Sequence, residues 1–126
     1  MGLKKKVMVV DDEKSIVDLF EVIQEVCDFQ VVAEAYTGEE AVETYSKLRI
    51  KPDVVIMDER MPGMNGLEAT KKILAKDRSA KIIFVSGDPK IEDKALSMGA
   101  SAFMTKPFGL NELKKVIESV SKEERK

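Results

Sequence analysis

Five short apolar runs alternate with five stretches of helical periodicity, and few folds accept such a chain. The runs are Val7-Met8-Val9-Val10, Gln30 to Ala35, Val54-Val55-Ile56-Met57, Ile82-Ile83-Phe84-Val85 and Ala102-Phe103-Met104-Thr105. After the first, Ile16, Leu19, Phe20, Ile23 and Val26 fall at the spacing of one helix face. Thr37 and Glu40 are spaced as a capping box before Ala41, Val42, Tyr45 and Leu48. Asn65 and Glu68 repeat that signal before Leu67, Ile73 and Leu74. Asp88-Pro89 reads as N-cap and first helical residue of a fourth helix with a thin stripe, Ile91, Ala95 and Met98, which Gly99 ends. In the fifth helix Gly109 can cap, Phe108 and Leu113 are placed as a hydrophobic staple, and Leu110, Leu113, Val116, Ile117 and Val120 form the expected buried face. The polar end, Ser121 to Lys126, is expected to fray.

Alternating strands and helices predict an α/β fold, a doubly wound (βα)5 flavodoxin-like domain whose parallel sheet carries helices on both faces. The first, third and fourth strands are continuously apolar, as strands covered on both sides must be. The second contains Gln30 and Glu34, and the fifth is short and mixed, so both suit edges. The order 2-1-3-4-5 satisfies these constraints and places the topological switch point between strands 1 and 3.

At 126 residues the chain is read as one domain, 1–126, with a core from about 5 to 120 and a short charged C-terminal tail. No apolar run approaches the roughly 20 residues of a membrane span, and a net charge of −2 gives no electrostatic case for binding nucleic acid. The basic start, Met1-Gly2-Leu3-Lys4-Lys5-Lys6, is followed by too short an apolar stretch for a signal peptide, and Lys6 breaks the myristoylation pattern. Cys27 stands alone, so no internal disulfide forms. The cytoplasm is then the expected location. Histidine is absent, so any phosphohistidine chemistry requires a second protein.

Four of the strands end on residues suited to phosphate or metal chemistry: Asp11-Asp12, Asp58, Ser86 and Lys106-Pro107. Ligands of open α/β sheets bind outside these strand ends. Taken singly, each has an ordinary reading: Asp favours helix starts and turns, Ser precedes helices, and Lys belongs on surfaces. Four such residues at four strand ends make coincidence the poorer account. Adjacent carboxylates facing Asp58 would repel one another without a counter-charge, and oxygen-only ligands select a hard cation such as Mg²⁺ (or Mn²⁺). The carbonyl of Arg60 can complete its ligands. Asp58 could attack a phosphoryl group to give an aspartyl phosphate, while the cation and Lys106 neutralise the transferring oxygens.

These residues, with Phe108 and the segment Met61-Pro62-Gly63-Met64-Asn65-Gly66, resemble the receiver domain of two-component response regulators, from about Lys5 to Val120. The resemblance implies that Asp58 is the phosphoacceptor and Asp12 the direct metal ligand, with Asp11 supporting it partly through water. It implies that Lys106 pairs with the phosphoryl group and that Ser86 moves toward it on activation. Phe103 stands at the position of the switch aromatic, although a core aromatic on an edge strand is an equal reading. Arg60 and Asp88 stand at positions that tune phosphoryl lifetime and could pair across the mouth of the pocket. Gly87, lacking a side chain, is expected to leave the acyl phosphate open to water.

The expected partners are a sensor histidine kinase or phosphotransfer protein and a downstream protein target. That target would be reached through the face of helix 4, strand 5 and helix 5. The chain is expected to be a monomer; dimerisation on phosphorylation and the isomer of the Lys106–Pro107 bond are left open. Two alternatives compete. A Mg²⁺-dependent phosphatase of the haloacid dehalogenase class would place its nucleophile at Asp11, which strips Asp58 of a role. A receiver-fold binding module would signal without phosphorylation.

Overall fold

In a computed structural model, residues 4–122 are described. Strands β1 (Lys5–Val10), β2 (Phe29–Ala35), β3 (Val54–Asp58), β4 (Ile82–Ser86) and β5 (Ala102–Thr105) alternate with helices α1 (Lys14–Ile23), α2 (Gly38–Lys47), α3 (Gly66–Lys76), α4 (Glu92–Ser97) and α5 (Leu110–Ser121). The sheet order is β2-β1-β3-β4-β5, parallel throughout. The expected fold and order are therefore those observed. The basic start at residues 1–3 and the tail at 123–126 lie outside the described residues; Ser121, expected to fray, closes α5.

Strand residues point alternately to opposite faces, and the core divides accordingly. Met8, Val10, Val55, Met57, Ile82 and Phe84 pack on the side that includes Ala41, Tyr45, Leu67, Ile73 and Ala95 from α2, α3 and α4. Val7, Val9, Val54, Ile56, Ile83, Val85 and Met104 pack on the other side against Val17 and Phe20 of α1 and Leu113, Ile117 and Val120 of α5. All of β3 and β4 is buried, which is why they are apolar up to their last residues, Asp58 and Ser86.

The helices correct several expectations. Leu19 and Val26 are not in the core: they are 49% and 70% exposed, while Val17 is fully buried. Helix α1 stops at Ile23, so Val26 no longer follows the helical period, and the buried stripe centres on Val17 and Phe20. Leu110 is also exposed, at 45%, and lines a surface groove with Ile16, Leu19, Phe20 and Ile23 of α1. Thr37 accepts the Glu40 N–H at 3.0 Å, yet the Glu40 carboxylate accepts the N–H of Tyr36 rather than that of Thr37, at 2.6 Å. Only half of that capping box forms, whereas the Asn65–Glu68 box is complete. Asp88 caps a short 3₁₀ turn, Pro89–Ile91, that precedes α4. Of the fourth stripe only Ala95 is buried.

Candidate functional site

Backbone hydrogen bonds bring the strand ends to one rim. Asp11 N–H donates to Ala35 O at 3.1 Å, Glu59 N–H to Val85 O at 3.0 Å, and Lys106 N–H to Ser86 O at 2.8 Å. The loop after β3 turns back sharply, and Gly66 makes this possible: a Cβ there would stand 2.1 Å from the Asp58 carbonyl oxygen. Asp11, Asp58 and Ser86 thereby lie in the interior, 3%, 6% and 2% exposed.

Lys106 joins the two buried carboxylates. Its Nζ lies 2.7 Å from Asp58 Oδ1 and 3.3 Å from Asp11 Oδ2. The Lys106–Pro107 peptide is cis. Burial pushes the Asp58 carboxyl above its ordinary value; Asp11 and Asp12 add to the rise, and Lys106 opposes it. Burial by itself would lower the Lys106 ammonium, but the hydrogen bond and charge of Asp58, aided by Asp11, outweigh it and hold it above the ordinary value. The cation is fixed in place by the carboxylates it serves.

Both oxygens of Asp11 are engaged, since Oδ1 accepts the Glu13 N–H at 2.9 Å. Asp12, by contrast, is exposed and lines an open cleft with Glu13, Asp58, Glu59, Arg60, Ser86, Gly87, Asp88 and Lys106. Carboxylate oxygens of Asp11, Asp12 and Glu13 can lie within 4.8 Å of one another. This donor set is oxygen-only and strongly acidic, so it fits a hard divalent cation that keeps part of its water shell.

The Ser86 hydroxyl is not hydrogen-bonded to Asp58. It donates to Glu59 Oε1 and accepts the Asp88 N–H at 2.9 Å. Glu59 and Glu13 were not singled out as site residues from the sequence. Each follows an identified aspartate directly, and only that adjacency could have signalled them. The Arg60–Asp88 pair is not formed: Asp88 Oδ1 instead accepts the Lys90 N–H at 3.0 Å, capping its own turn. Both residues nonetheless line the cleft. Phe103, half-buried on the edge strand, stacks on Phe84 with ring centroids 6.3 Å apart and planes at 16°.

A buried carboxylate paired with a lysine, beside an acidic oxygen cluster at the switch point of a doubly wound sheet, defines a class of phosphate-handling signalling domain. Residues 7–118 match the family model of the response regulator receiver domain, and the chain belongs to that family. It is 40% identical over 119 residues to the chemotaxis protein CheY of Listeria monocytogenes, spanning 93% of this chain and 98% of that protein. CheY of Thermotoga maritima is 39% identical over 120 residues, spanning 94% and 98%. The crystal structure of a CheX–CheY–BeF3–Mg complex from Borrelia burgdorferi superimposes with a TM-score of 0.88 at 29% identity, covering 97% of this chain and 92% of the matched one.

The chain is thus a receiver of two-component phosphorelay signalling, similar to stand-alone CheY proteins, and a signalling protein rather than an enzyme of the ordinary kind. The acidic pocket fits magnesium and aspartate phosphorylation. The phosphatase alternative is not favoured, because Asp58, which it leaves without a role, is the carboxylate nearest Lys106. Among the described residues no helix is long and apolar enough to cross a membrane.

Proposed function

We propose that residues 1–126 work as a stand-alone cytoplasmic response regulator whose phosphoacceptor is Asp58. The observation that carries this reading is the buried Asp58 carboxylate, held 2.7 Å from Lys106 in a cleft it shares with Asp12. Because the chain contains no histidine, the phosphoryl group comes from a sensor histidine kinase or a phosphotransfer protein. An Asp58 oxygen forms a bond to phosphorus as the donor's P–N bond breaks, and the leaving imidazole takes up a proton. Lys106 offsets charge on the phosphoryl oxygens and on the carboxylate that attacks.

Asp12 and Asp58 would hold Mg²⁺ (or Mn²⁺) directly, with the Arg60 carbonyl, while Asp11 positions the cluster by engaging Lys106 and Glu13. Bound there, the cation supplies positive charge that stabilises the transferring group. The protein catalyses only its own phosphorylation and dephosphorylation. Arg60, Gly87 and Asp88 at the mouth of the cleft set how long the acyl phosphate survives.

The phosphorylated state draws Ser86 toward the phosphoryl group and turns Phe103 inward, shifting a two-state equilibrium. The face of α4, β5 and α5 then meets a downstream protein. A CheY from Borrelia burgdorferi is likewise found in complex with a protein, CheX. The resting protein is a monomer.

The test is intact mass after incubation with acetyl phosphate, with Mg²⁺ or with chelator, for the wild type and Asp58→Asn. One added phosphoryl group that requires both Mg²⁺ and Asp58 is the expected result. Addition that persists in Asp58→Asn would overturn the assignment.

A further inference from the structure

We propose that Glu59 is a latch on the switch: its carboxylate holds the Ser86 hydroxyl away from Asp58 and sets how far the unphosphorylated protein favours its resting conformation. This rests on Asp58 being the phosphoacceptor. The hydroxyl of Ser86 has a single proton to donate, and Glu59 Oε1 takes it; its oxygen also accepts the Asp88 N–H at 2.9 Å. To bond a phosphoryl oxygen on Asp58, the hydroxyl must withdraw that proton from Glu59. The switch is therefore a competition between two anions for one donor, and hydrogen bonds to charged acceptors are the strong ones.

The latch residue is well anchored. The Glu59 N–H donates to Val85 O at 3.0 Å, on the strand that carries Ser86, and its carbonyl accepts the Gly66 N–H at 2.9 Å. The Gly66 contact fixes the same stretch from the other side, since a Cβ at Gly66 would lie 3.1 Å from Glu59 Cα. With the Glu59 backbone held, the latch opens through the side chains, as the Ser86 hydroxyl turns from the Glu59 carboxylate toward Asp58. A phosphoryl group can shift this equilibrium only by its preference for the released state, so a weaker latch makes activation easier.

The test is a two-by-two set: wild type, Glu59→Ala, Ser86→Ala and the double variant. Each is titrated by NMR with beryllofluoride at saturating Mg²⁺. Glu59→Ala is expected to tighten binding about tenfold or more, the factor that accompanies loss of one hydrogen bond to a charged group. The same change made in Ser86→Ala should have no effect. Equal tightening in both backgrounds would mean that Glu59 acts through simple charge repulsion and would overturn the latch, as would unchanged or weaker binding in Glu59→Ala.

A second readout needs neither metal nor beryllofluoride. The Asp88 amide resonance should shift in Glu59→Ala, and a resonance identical to wild type would also sink the proposal. If Glu59→Ala does not fold, Glu59→Gln carries the same comparisons with a smaller expected tightening. Wild type that neither binds beryllofluoride nor gains a phosphoryl group would defeat the Asp58 assignment; wild type that binds it as tightly as Glu59→Ala defeats the latch alone.

Discussion

Lys106 Nζ lies 2.7 Å from Asp58 Oδ1, although the lysine directly follows the sheet's edge strand and the aspartate ends its central one. The same ammonium lies 3.3 Å from Asp11 Oδ2. One partly exposed cation therefore serves two buried carboxylates.

Lys106→Ala should leave Asp11 and Asp58 uncompensated. Breaking a fully buried pair costs about 3–5 kcal/mol; the lysine side chain is 31% exposed, so solvent screening reduces the expected loss to about 1–2 kcal/mol. The carboxyl of Asp58, already raised by burial, would rise further without its partner. The loss is then full above the raised folded values, shrinks as pH falls through them and is gone below the ordinary carboxylate range. Urea midpoints near pH 7 and near pH 4 check this.

Asp58→Asn should act in the opposite direction. A carboxyl whose folded value lies above its unfolded value opposes folding above the ordinary carboxylate range, and that cost disappears once both states are protonated. Burial is the main cause here, followed in the same sense by Asp11 and Asp12. Without metal, the variant should be more stable than wild type near neutral pH. The advantage should fade toward about pH 4 and narrow when Mg²⁺ stabilises the wild type. A variant less stable than wild type at neutral pH contradicts the sign.

Tyr45→Phe probes the far end of the sheet. The Tyr45 hydroxyl donates to Asp77 Oδ2 at 2.6 Å, joining α2 to the end of α3. Its removal should cost about 1–2 kcal/mol. Hydrogen bonds from Ser79, then from Tyr45, hold the Asp77 carboxyl below its ordinary value. That contribution is complete above the ordinary carboxylate range and lost as pH falls through the lowered value. The stability difference between variant and wild type should persist at about pH 5 and diminish only in stronger acid.

Gly87→Ala should separate lifetime from stability. A Cβ at Gly87 would meet no atom within 4 Å, so stability should be unchanged or raised by up to about 1 kcal/mol. The added methyl group stands at the mouth of the cleft and should slow loss of the phosphoryl group from Asp58 by about twofold or more, on the order of half a kcal/mol at the barrier. Arg60→Ala and Asp88→Ala should each alter the same rate. Rates measured by decay of phosphorylated mass, all equal to wild type, would remove these residues from that role.

Much of the architecture was legible because burial imposes composition. Strands covered on both faces, β3 and β4, are apolar up to the Asp58 and Ser86 that end them at the rim, while β2 and β5 are free to carry Gln30, Glu34 and Thr105. That contrast orders the sheet, and the sheet order gathers Asp11, Asp12, Asp58, Ser86 and Lys106 at one rim. Helix faces were less legible. Leu19, Val26 and Leu110 keep an apolar spacing but lie exposed, because periodicity does not say where a helix stops or which of its apolar residues the neighbouring elements cover.

What the sequence determined by itself is the strand–helix alternation, the sheet order and the identity of the residues brought to the rim, since each follows from a pattern along the chain. The tertiary structure alone decided how those residues are partnered. It set Ser86 on Glu59 rather than on Asp58, turned Asp88 to its own helical turn rather than to Arg60, and placed Lys106 between two carboxylates. A side chain with several acceptors within reach takes the one that loop paths and backbone anchors put nearest, and those distances are fixed only when all five strands are in register.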